Sequence, residues 1–302
     1  MKPIVALGEP LYEFSRLPGT VEFRQGFGGD TSNFAIAAAR VGARVAYLSR
    51  VGDDPFGDEL LDLWRAEGVD ARAVERVAQG ATGLYFITHG PQGHVFSYRR
   101  AGSAASAMTF TPGFAAVVGE AAWLHVSGIS QAISETACDT VFAAIDHART
   151  HGVPVSYDLN HRVRLWPAAR AAAIARATIA QCDLFLPSLD EAAALFGIAS
   201  ADALIDWSHA LGARRVAVKA GAAGAVVSDG VSRVTIPGHP VTAIDATGAG
   251  DCFGGVLVAR LVAGDPLADA ARAACVAAAL STTGYGAVAP LPDWARIRGL
   301  LG

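Results

Sequence analysis

The segment from Asp245 to Asp251 carries the residues whose types and spacing point most directly to chemistry. It places Gly248 and Gly250 between two aspartates, and a run of small apolar residues follows. This pattern predicts a tight turn leading into a helix N-terminus, where unpaired backbone N–H groups and the helix dipole can hold an anion. Asp251 falls in the first turn of that helix. A carboxylate beside an anion site suits phosphoryl transfer to a hydroxyl, because it can accept the alcohol proton.

The backbone N–H groups of Ala249, Gly250 and Asp251 would form the anion hole and take up charge that develops on the phosphoryl group. The alternative interpretation is structural: a glycine-rich loop with an aspartate that caps a helix. By its residues, D-x-x-G-A-G-D, the segment resembles the signature of the PfkB (ribokinase-like) sugar kinases, and the resemblance extends over nearly the whole chain.

The resemblance implies a ribokinase-like three-layer α/β/α sandwich with a mostly parallel sheet and a small β-sheet lid. Residues 1–302 would form one kinase domain, with lid segments inserted at about 11–28 and 83–104. It also implies ATP as the phosphoryl donor and Mg²⁺ as its metal. Some relatives bind a monovalent cation around the residue that corresponds to Asp245.

The resemblance implies that the sugar binds at a glycine-rich element at the start of the first long helix. The residues from Gly26 to Asn33 resemble the Gly-Gly-x-x-x-Asn element of the family. Glycines such as Gly29 let the backbone approach a sugar closely, and Asp30 and Asn33 can pair with hydroxyls. The element lacks the third glycine of a dinucleotide fingerprint, so that class of site is not favoured.

Two further motifs, Y-x-R-x-G-S-A and D-x-N-x-R-x-x-L-W, resemble those of 2-keto-3-deoxygluconate kinases within the family. The first contains Tyr98 and Arg100, with Tyr85 on the preceding strand, and the second contains Arg162. A guanidinium group pairs with a sugar-acid carboxylate through two parallel hydrogen bonds, and the tyrosines would face the polyol. Arg162 could instead stabilise the transferring phosphoryl group. The alternative is that these arginines are ordinary solvent-exposed charges without a role in binding.

The resemblance implies that residues from the C-terminal half bind the nucleotide. They are Ser188, Lys219, Gly221, Gly224 and Cys275, together with Gly248 and Gly250. Glu191 would orient the water shell of Mg²⁺. Ser188 replaces the usual asparagine of the family's N-x-x-E element, and Cys275 stands where the family often presents an asparagine to adenine. A serine cap with acids in the first helical turn is a sufficient structural explanation for Ser188 and Glu191.

The elements that must position these residues alternate along the chain, which predicts an α/β fold with helices on both faces of a mostly parallel sheet. Ligands then collect at the carboxyl ends of the strands. The predicted strands are Ile4–Leu7, 45–51, Trp123–Ser127, 153–158, 184–187, Arg215–Lys219 and 225–228. The predicted helices are 33–41, 57–67, 135–151, 168–181, Leu189–Phe196, 205–211, 250–263 and 266–281.

Two regions, 13–27 and 83–98, interrupt this alternation. Each alternates apolar and polar residues around a turn signal, Pro18-Gly19 in the first and Gly90-Pro91-Gln92-Gly93 in the second. They predict two hairpins and therefore a small second sheet. The family carries its lid at these points, and such a sheet also offers a surface for a homodimer.

Composition excludes several other classes of protein. The chain of 302 residues has a net charge of −4 and no basic run, which argues against nucleic-acid binding. No apolar stretch reaches the roughly 18 residues that a membrane span needs, and the N-terminus turns polar too early for a signal peptide. Four scattered cysteines without a C-x-x-C pair fit a reducing cytosol, so a cytoplasmic protein is expected.

The sequence therefore predicts an ATP-dependent kinase whose partner is a small sugar or sugar acid, most of all 2-keto-3-deoxygluconate, with Asp251 as the base. A neutral-sugar kinase of the fructokinase or ribokinase type is the nearest alternative, and a nucleoside kinase is a weaker one. A catalytically silent sugar-binding regulator is the alternative from another class. No P-loop and no protein-kinase motif is present.

Overall fold

Strands and helices alternate along most of the chain. The computed structural model describes residues 2–17, 19–90 and 93–301. The strands are β1 (Ile4–Leu7), β2 (Leu11–Arg16), β3 (Phe23–Gly28), β4 (Val45–Leu48), β5 (Arg50–Gly52), β6 (Val69–Asp70), β7 (Glu75–Val77), β8 (Leu84–Gly90), β9 (Gly93–Arg99), β10 (Trp123–Ser127), β11 (Val155–Asp158), β12 (Leu184–Leu186), β13 (Arg215–Lys219), β14 (Gly224–Ser228) and β15 (Arg233–Pro237). The helices are α1 (Asp30–Arg40), α2 (Pro55–Ala66), α3 (Pro112–Gly119), α4 (Gly128–Ala132), α5 (Glu135–Thr150), α6 (Ala168–Ile179), α7 (Leu189–Phe196), α8 (Ala201–Leu211), α9 (Ala249–Val262), α10 (Leu267–Ser281) and α11 (Trp294–Arg298).

The large sheet has the strand order β15-β14-β13-β12-β11-β10-β1-β4-β6. Neighbouring strands from β13 to β6 are parallel, and β14 and β15 are antiparallel additions at one edge. The carboxyl ends of β1, β10, β11, β12 and β13 therefore meet along one edge of the sheet, as the sequence predicts for a ligand site.

Two hydrophobic cores cover the two faces of this sheet. Ile4 and Ala6 of β1 belong to a core with α1, α9 and α10, whereas Val5 and Leu7 belong to a core with α3, α5 and α6. Successive side chains of a strand point to opposite faces, so alternation along β1 places helices on both sides. The predicted α/β sandwich with a mostly parallel sheet is confirmed.

A separate four-stranded sheet has the order β3-β2-β8-β9 and corresponds to the predicted lid. It consists of two antiparallel hairpins, β2/β3 and β8/β9, joined by parallel pairing of β2 with β8. Both predicted hairpins are thus present. The turn residues Pro18, Pro91 and Gln92 lie outside the described residues.

The sequence prediction was wrong in several local details. The single strand predicted at 45–51 is two strands separated by Ser49, whose hydroxyl donates a hydrogen bond to the carbonyl oxygen of Gly8 at 2.6 Å. After this break the chain leaves the large sheet, and β5 pairs with β7 instead. Helix α1 begins at Asp30 rather than at residue 33, because Gly29, with a φ of 99°, is its N-cap directly after β3. Strands β6, β7 and β15 and helices α3, α4 and α11 were not predicted.

In the described ranges no helix combines the length and the apolar content that crossing a bilayer requires.

Candidate active site

The N-termini of α1 and α9 lie side by side above the carboxyl edge of the large sheet. Gly255 makes this approach possible, because a Cβ there would collide with the carbonyl oxygen of Phe34 in α1. A Cβ on Gly254 would lie 3.3 Å from the Phe34 ring. The small-residue run after Asp251 therefore serves close helix packing, and this packing brings two glycine-rich turns together.

Asp251 lies in the first turn of α9, as predicted, and its carboxylate contacts α1. The Asn33 side-chain nitrogen donates a hydrogen bond to Asp251 Oδ2 at 2.8 Å. Burial raises the pKa of Asp251 well above its ordinary value, and the nearby Asp30 and Asp158 carboxylates add to this, while Asn33 and Lys219 oppose it. The Oδ1 atom of Asn33 is buried without a hydrogen-bond partner. Two acceptors, one on Asp251 and one on Asn33, are thus available to a ligand hydroxyl.

The predicted anion turn precedes Asp251 directly. Gly248 is the N-cap of α9 and adopts a left-handed conformation with φ of 76°. A Cβ at Gly250 would lie 3.4 Å from the Lys219 Nζ atom, so the ammonium group sits beside this turn. Backbone N–H groups, a helix N-terminus and a cation therefore converge where an anion would be favoured.

Lys219 is held by a buried ion pair with Asp158 at the end of β11. Its Nζ atom lies 2.9 Å and 2.7 Å from the two Asp158 carboxylate oxygens. Burial alone would lower the pKa of Lys219, but the carboxylates of Asp158, Glu191 and Asp251 outweigh it and raise the pKa. Burial raises the pKa of Asp158 to about 6, against the influence of Lys219. The ammonium group thus stays charged next to the anion turn.

Asp30 occupies the first turn of α1 and is 8% exposed. Its Oδ1 atom accepts a hydrogen bond from the Thr31 backbone N–H at 2.9 Å, and its Oδ2 atom accepts one from the Asn160 side chain at 3.0 Å. Gly29 precedes it, and a Cβ there would collide with the carbonyl oxygen of Glu9. The glycine therefore serves the packing of the chain on itself, and a close approach to a sugar stays a prediction.

The inner face of the lid carries Tyr85, whose hydroxyl donates to the carboxylate of Glu13 on β2. The Tyr85 ring stacks on Tyr98, with ring centroids 5.9 Å apart. A Cβ on Gly28 would lie 2.6 Å from the Tyr85 hydroxyl, so this face reaches down to the glycine turn before Asp30. Burial raises the pKa of Glu13, the Tyr85 hydrogen bond opposes this, and the Asp245 carboxylate adds to the increase.

Arg100 forms an ion pair with Glu9, which the sequence did not predict. The Arg100 side chain is 11% exposed and that of Glu9 is fully buried, with the Ser103 hydroxyl 3.4 Å from the second Glu9 oxygen. The Arg100 Nε–H group is buried without a hydrogen-bond partner. The guanidinium group therefore pairs with Glu9 while its buried Nε–H stays without an acceptor.

Arg162 and Glu191 face each other at the mouth of the site, 3.7 Å apart, with the Arg162 side chain 54% exposed. Glu191 Oε2 accepts a hydrogen bond from the Ser188 backbone N–H at 3.4 Å, which completes the capping arrangement at α7. The structural reading of Ser188 and Glu191 thus holds, and Glu191 also lies within electrostatic reach of Lys219.

The remaining predicted nucleotide residues lie around the turn between β13 and β14. Gly221 and Gly224 have φ values of 57° and 101°, and a Cβ on Gly224 would collide with the carbonyl oxygen of Ile236. Cys275 lies on α10, buried in the core, where burial raises the pKa of its thiol to about 11. The glycines shape the turn, and the thiol is part of an apolar wall.

Four residues that interact at the site had no assigned role in the sequence analysis: Glu9, Glu13, Asp158 and Asn160. Asp158 ends a buried strand and Asn160 follows it closely, which was an available signal because such positions meet at one sheet edge. Glu9 and Glu13 are acids within an otherwise apolar stretch, which is a weaker signal. Their partners lie 91 and 72 positions away.

Asp245 closes the turn from the other side. Its carboxylate accepts hydrogen bonds from the Thr247 hydroxyl at 2.7 Å and from the Gly286 backbone N–H at 2.9 Å. It thereby ties the anion turn to the loop after α10. In the described part of the chain, no group of three or more His, Cys, Asp or Glu side chains could hold a metal ion by itself.

Comparisons with known proteins identify a family and a fold for this chain. A family model described as pfkB family carbohydrate kinase matches residues 1–294. The chain is 32% identical to the 2-dehydro-3-deoxygluconokinase of Escherichia coli K12, over 96% of this chain and 97% of the relative. It is 31% identical to a 2-dehydro-3-deoxygalactonokinase of Haloferax volcanii, over 96% of this chain and 94% of the relative.

Solved structures with a similar fold cover almost the whole chain. A Vibrio cholerae fructokinase with fructose, ADP and calcium bound has a TM-score of 0.89 and 28% identity, covering 100% of this chain and 99% of its own. A putative ribokinase from E. coli in complex with ATP and Mg²⁺ has a TM-score of 0.90 and 24% identity, covering 99% of this chain and 98% of its own. At that identity the second structure supports the fold alone.

Proposed function

The chain belongs to the pfkB family of carbohydrate kinases, and we propose that it transfers the γ-phosphoryl group of ATP to the terminal primary hydroxyl of a small sugar acid, most of all 2-keto-3-deoxygluconate. The observation that carries the kinase chemistry is Asp251, in the first turn of α9 beside the Gly248 turn and the Lys219 ammonium group. The proposed base, the glycine turn and the ammonium group lie together at the start of α9, which supports the proposal.

In the proposed reaction, the carboxylate of Asp251 accepts the proton of the substrate hydroxyl. The hydroxyl oxygen then bonds to the γ-phosphorus while the bond to the ADP oxygen breaks. The raised pKa of Asp251 makes it a stronger proton acceptor than an ordinary aspartate. The N–H groups of Ala249, Gly250 and Asp251 and the Lys219 ammonium group offset charge on the transferring group. Closure of the lid would exclude water, so that the sugar hydroxyl outcompetes hydrolysis.

The donor set fits a nucleotide that carries hydrated Mg²⁺. Mg²⁺ keeps several waters and is bound by phosphates with one or two carboxylates, so a dedicated protein cage is not required. Glu191 is the carboxylate we assign to this water shell, and the turn at Gly221 and Gly224 is assigned to the phosphates or ribose. Mg²⁺ supplies charge neutralisation on the phosphates. A monovalent cation near Asp245 stays a prediction.

The proposal that the substrate is an acid rests on Arg100. This side chain projects from the lid sheet, and its buried Nε–H lacks an acceptor. A substrate carboxylate would provide one through a charge-assisted hydrogen bond. Asp30 and Asn33 are assigned to the sugar hydroxyls, with Gly29 allowing the approach and Tyr85 and Tyr98 lining the polyol. Arg162, which is largely exposed, is assigned to the substrate or to the transferring phosphoryl group.

One observation favours a neutral-sugar kinase instead. Arg100 already has its charge balanced by Glu9, so a neutral sugar would leave no unpaired cation in the pocket. A catalytically silent sugar binder would retain the pocket but would have no need of Asp251 together with its anion turn.

A coupled ADP-release assay with Mg-ATP separates these functions. The substrates are 2-keto-3-deoxygluconate, its galactonate epimer, fructose, ribose and adenosine. We expect turnover on the keto-deoxy acids. Turnover on fructose or ribose alone would contradict the acid assignment and keep the kinase chemistry, whereas binding without turnover on any substrate would support the silent binder.

We also propose a homodimer through the outer face of the lid sheet. On this face Phe14 and Phe86 stack with centroids 5.3 Å apart, and Phe23 packs edge-on against Phe86 while 42% exposed. The substitution Phe23→Glu should shift the mass in light scattering from dimer to monomer. The control Val231→Glu changes a residue that is 98% exposed and outside the lid. A monomeric wild type would contradict the proposal.

A further inference from the structure

Both asparagines of this chain act at the candidate site. The sequence contains this residue type at positions 33 and 160 alone. Asn33 donates to Asp251, and the Asn160 side-chain nitrogen donates to Asp30 Oδ2 at 3.0 Å across 130 positions of sequence. A chain that otherwise lacks asparagine thus places both of its copies against carboxylates of the same site. The carboxamide of Asn160 therefore calls for an explanation beyond loop geometry.

Asn160 also has an unusual backbone conformation. With φ of 34°, it is the one non-glycine residue with positive φ in the described ranges. It is 5% exposed, and its backbone N–H donates to Asp158 Oδ1 at 3.2 Å. Left-handed backbone is disfavoured for most residues, and asparagine tolerates it better than others. This conformation lets one residue donate to Asp158 through its backbone and to Asp30 through its side chain.

The charges around Asn160 explain why such a donor matters. Asp30, Asp158 and Asp251 lie close enough that Asp30 raises the pKa of both other carboxyl groups. Lys219 forms an ion pair with Asp158, and the Asn33 side chain donates a hydrogen bond to Asp251. In the described part of the chain, Asp30 forms no ion pair, and Asn160 is the side chain that donates to it. The Thr31 backbone N–H holds Asp30 Oδ1, so the position of Oδ2 depends on the Asn160 side chain.

We propose that Asn160 is a positioning residue that orients the Asp30 carboxylate toward the sugar and links it to the Asp158–Lys219 pair beside the anion turn. Asn160 would thereby fix the position of Asp30, on the sugar side of the site, relative to Lys219 on the phosphate side. The inference rests on the proposed function in so far as Asp30 contacts the sugar. The hydrogen bond from Asn160 to Asp30 can be tested without any substrate.

The substrate-free test uses protein labelled with ¹⁵N at asparagine side chains, which contains two carboxamide groups. The variant Asn160→Gly identifies the Asn160 signal by its loss, and glycine tolerates the left-handed backbone. The variant Asp30→Ala should shift the Asn160 signal, because it removes the hydrogen-bond acceptor without adding a third labelled carboxamide. An unchanged Asn160 signal in Asp30→Ala would overturn the inference, whatever the enzyme phosphorylates.

The kinetic test compares KM with kcat. Asn160→Gly should raise the KM for the sugar about tenfold, the loss of one hydrogen bond to a charged group, with the KM for Mg-ATP unchanged within about twofold. Adding Asn160→Gly to Asp30→Asn should cause little further loss, since both act through one carboxylate. Additive losses, or a lower melting temperature with an unchanged sugar KM, would show a merely structural role. Absence of wild-type turnover on every substrate would count against the proposed function, and the NMR result would then decide this inference.

Discussion

The Asn33 side chain donates a hydrogen bond of 2.8 Å to the Asp251 carboxylate, although 218 positions separate the two residues. This contact joins the first turns of α1 and α9 and orients the carboxylate that we assign as the base. It also opposes the effects of burial and of Asp30, both of which favour the protonated form of Asp251. The helix that we assign to the sugar and the helix that we assign to the anion are thereby joined at the proposed proton acceptor.

Replacement of the base tests its role most directly. Asp251→Asn keeps an acceptor for the Asn33 donor but removes the proton acceptor, so kcat should fall by about 10²–10⁴-fold. The melting temperature should not fall, because the variant removes a buried charge with a raised pKa. The coupled ADP-release assay and a thermal melt measure the two effects. Turnover close to wild type would contradict the assignment.

The pH dependence of the reaction should reveal the Asn33 contact. The carboxylate form of Asp251 is active, so kcat/KM should fall as pH falls through its raised pKa, at higher pH than for an ordinary aspartate. Asn33→Ala removes a hydrogen bond that lowers this pKa, so the acid limb should move to still higher pH. Profiles of both proteins on one substrate measure the shift. An acid limb that stays in place or moves to lower pH would show that Asn33 does not act on Asp251.

The Lys219–Asp158 pair allows stability to be separated from catalysis. Lys219→Met leaves a buried carboxylate without its partner and should cost about 3–5 kcal/mol of unfolding free energy. Adding Asp158→Asn should restore much of this stability, yet turnover should stay low because the cation beside the anion turn is absent. Urea unfolding and the kinase assay measure the two quantities. Recovery of activity in the double variant would contradict the role of Lys219 at the phosphate.

The Arg100–Glu9 pair changes how an arginine substitution must be read. Arg100→Ala should raise the KM for a keto-deoxy acid by about tenfold or more, but it also leaves Glu9 buried and unpaired. The double variant with Glu9→Gln removes both charges and should recover stability while the acid KM stays high. Arg99→Ala is the matched control, because Arg99 is exposed beside it. An equal loss on acid and neutral sugars would point to a structural role for Arg100.

Gly248 tests the anion turn through backbone geometry. Gly248→Ala forces alanine into a left-handed conformation and places its Cβ 2.9 Å from the Ala287 Cβ, so both stability and turnover should fall. Gly264→Ala, at φ of 98° with no heavy atom within 4 Å of its Cβ, should cost about 1–2 kcal/mol of stability and leave turnover unchanged. Equal turnover in the two variants would show that the Gly248 turn is not part of the anion site.

The sequence by itself determined the local features of this protein. The left-handed turn at Gly248, the place of Asp251 in the first turn of α9 and the two hairpins depend on residues within a few positions of each other. Such interactions leave readable patterns of glycine, aspartate and alternating apolar side chains. The same reasoning failed at Ser49, where the strand ends because of a contact with Gly8 rather than because of its own residues.

Only the tertiary structure decided which polar groups meet. Asn33 with Asp251, Asn160 with Asp30, Lys219 with Asp158 and Arg100 with Glu9 are paired by the order of strands in the sheet and by the packing of α1 on α9. No sequence pattern specifies such partners, because each of these side chains could equally well form its hydrogen bonds with a different polar residue or with water. The sequence thus named most of the residues, and the burial of the site at the sheet edge selected their partners and shifted their pKa values.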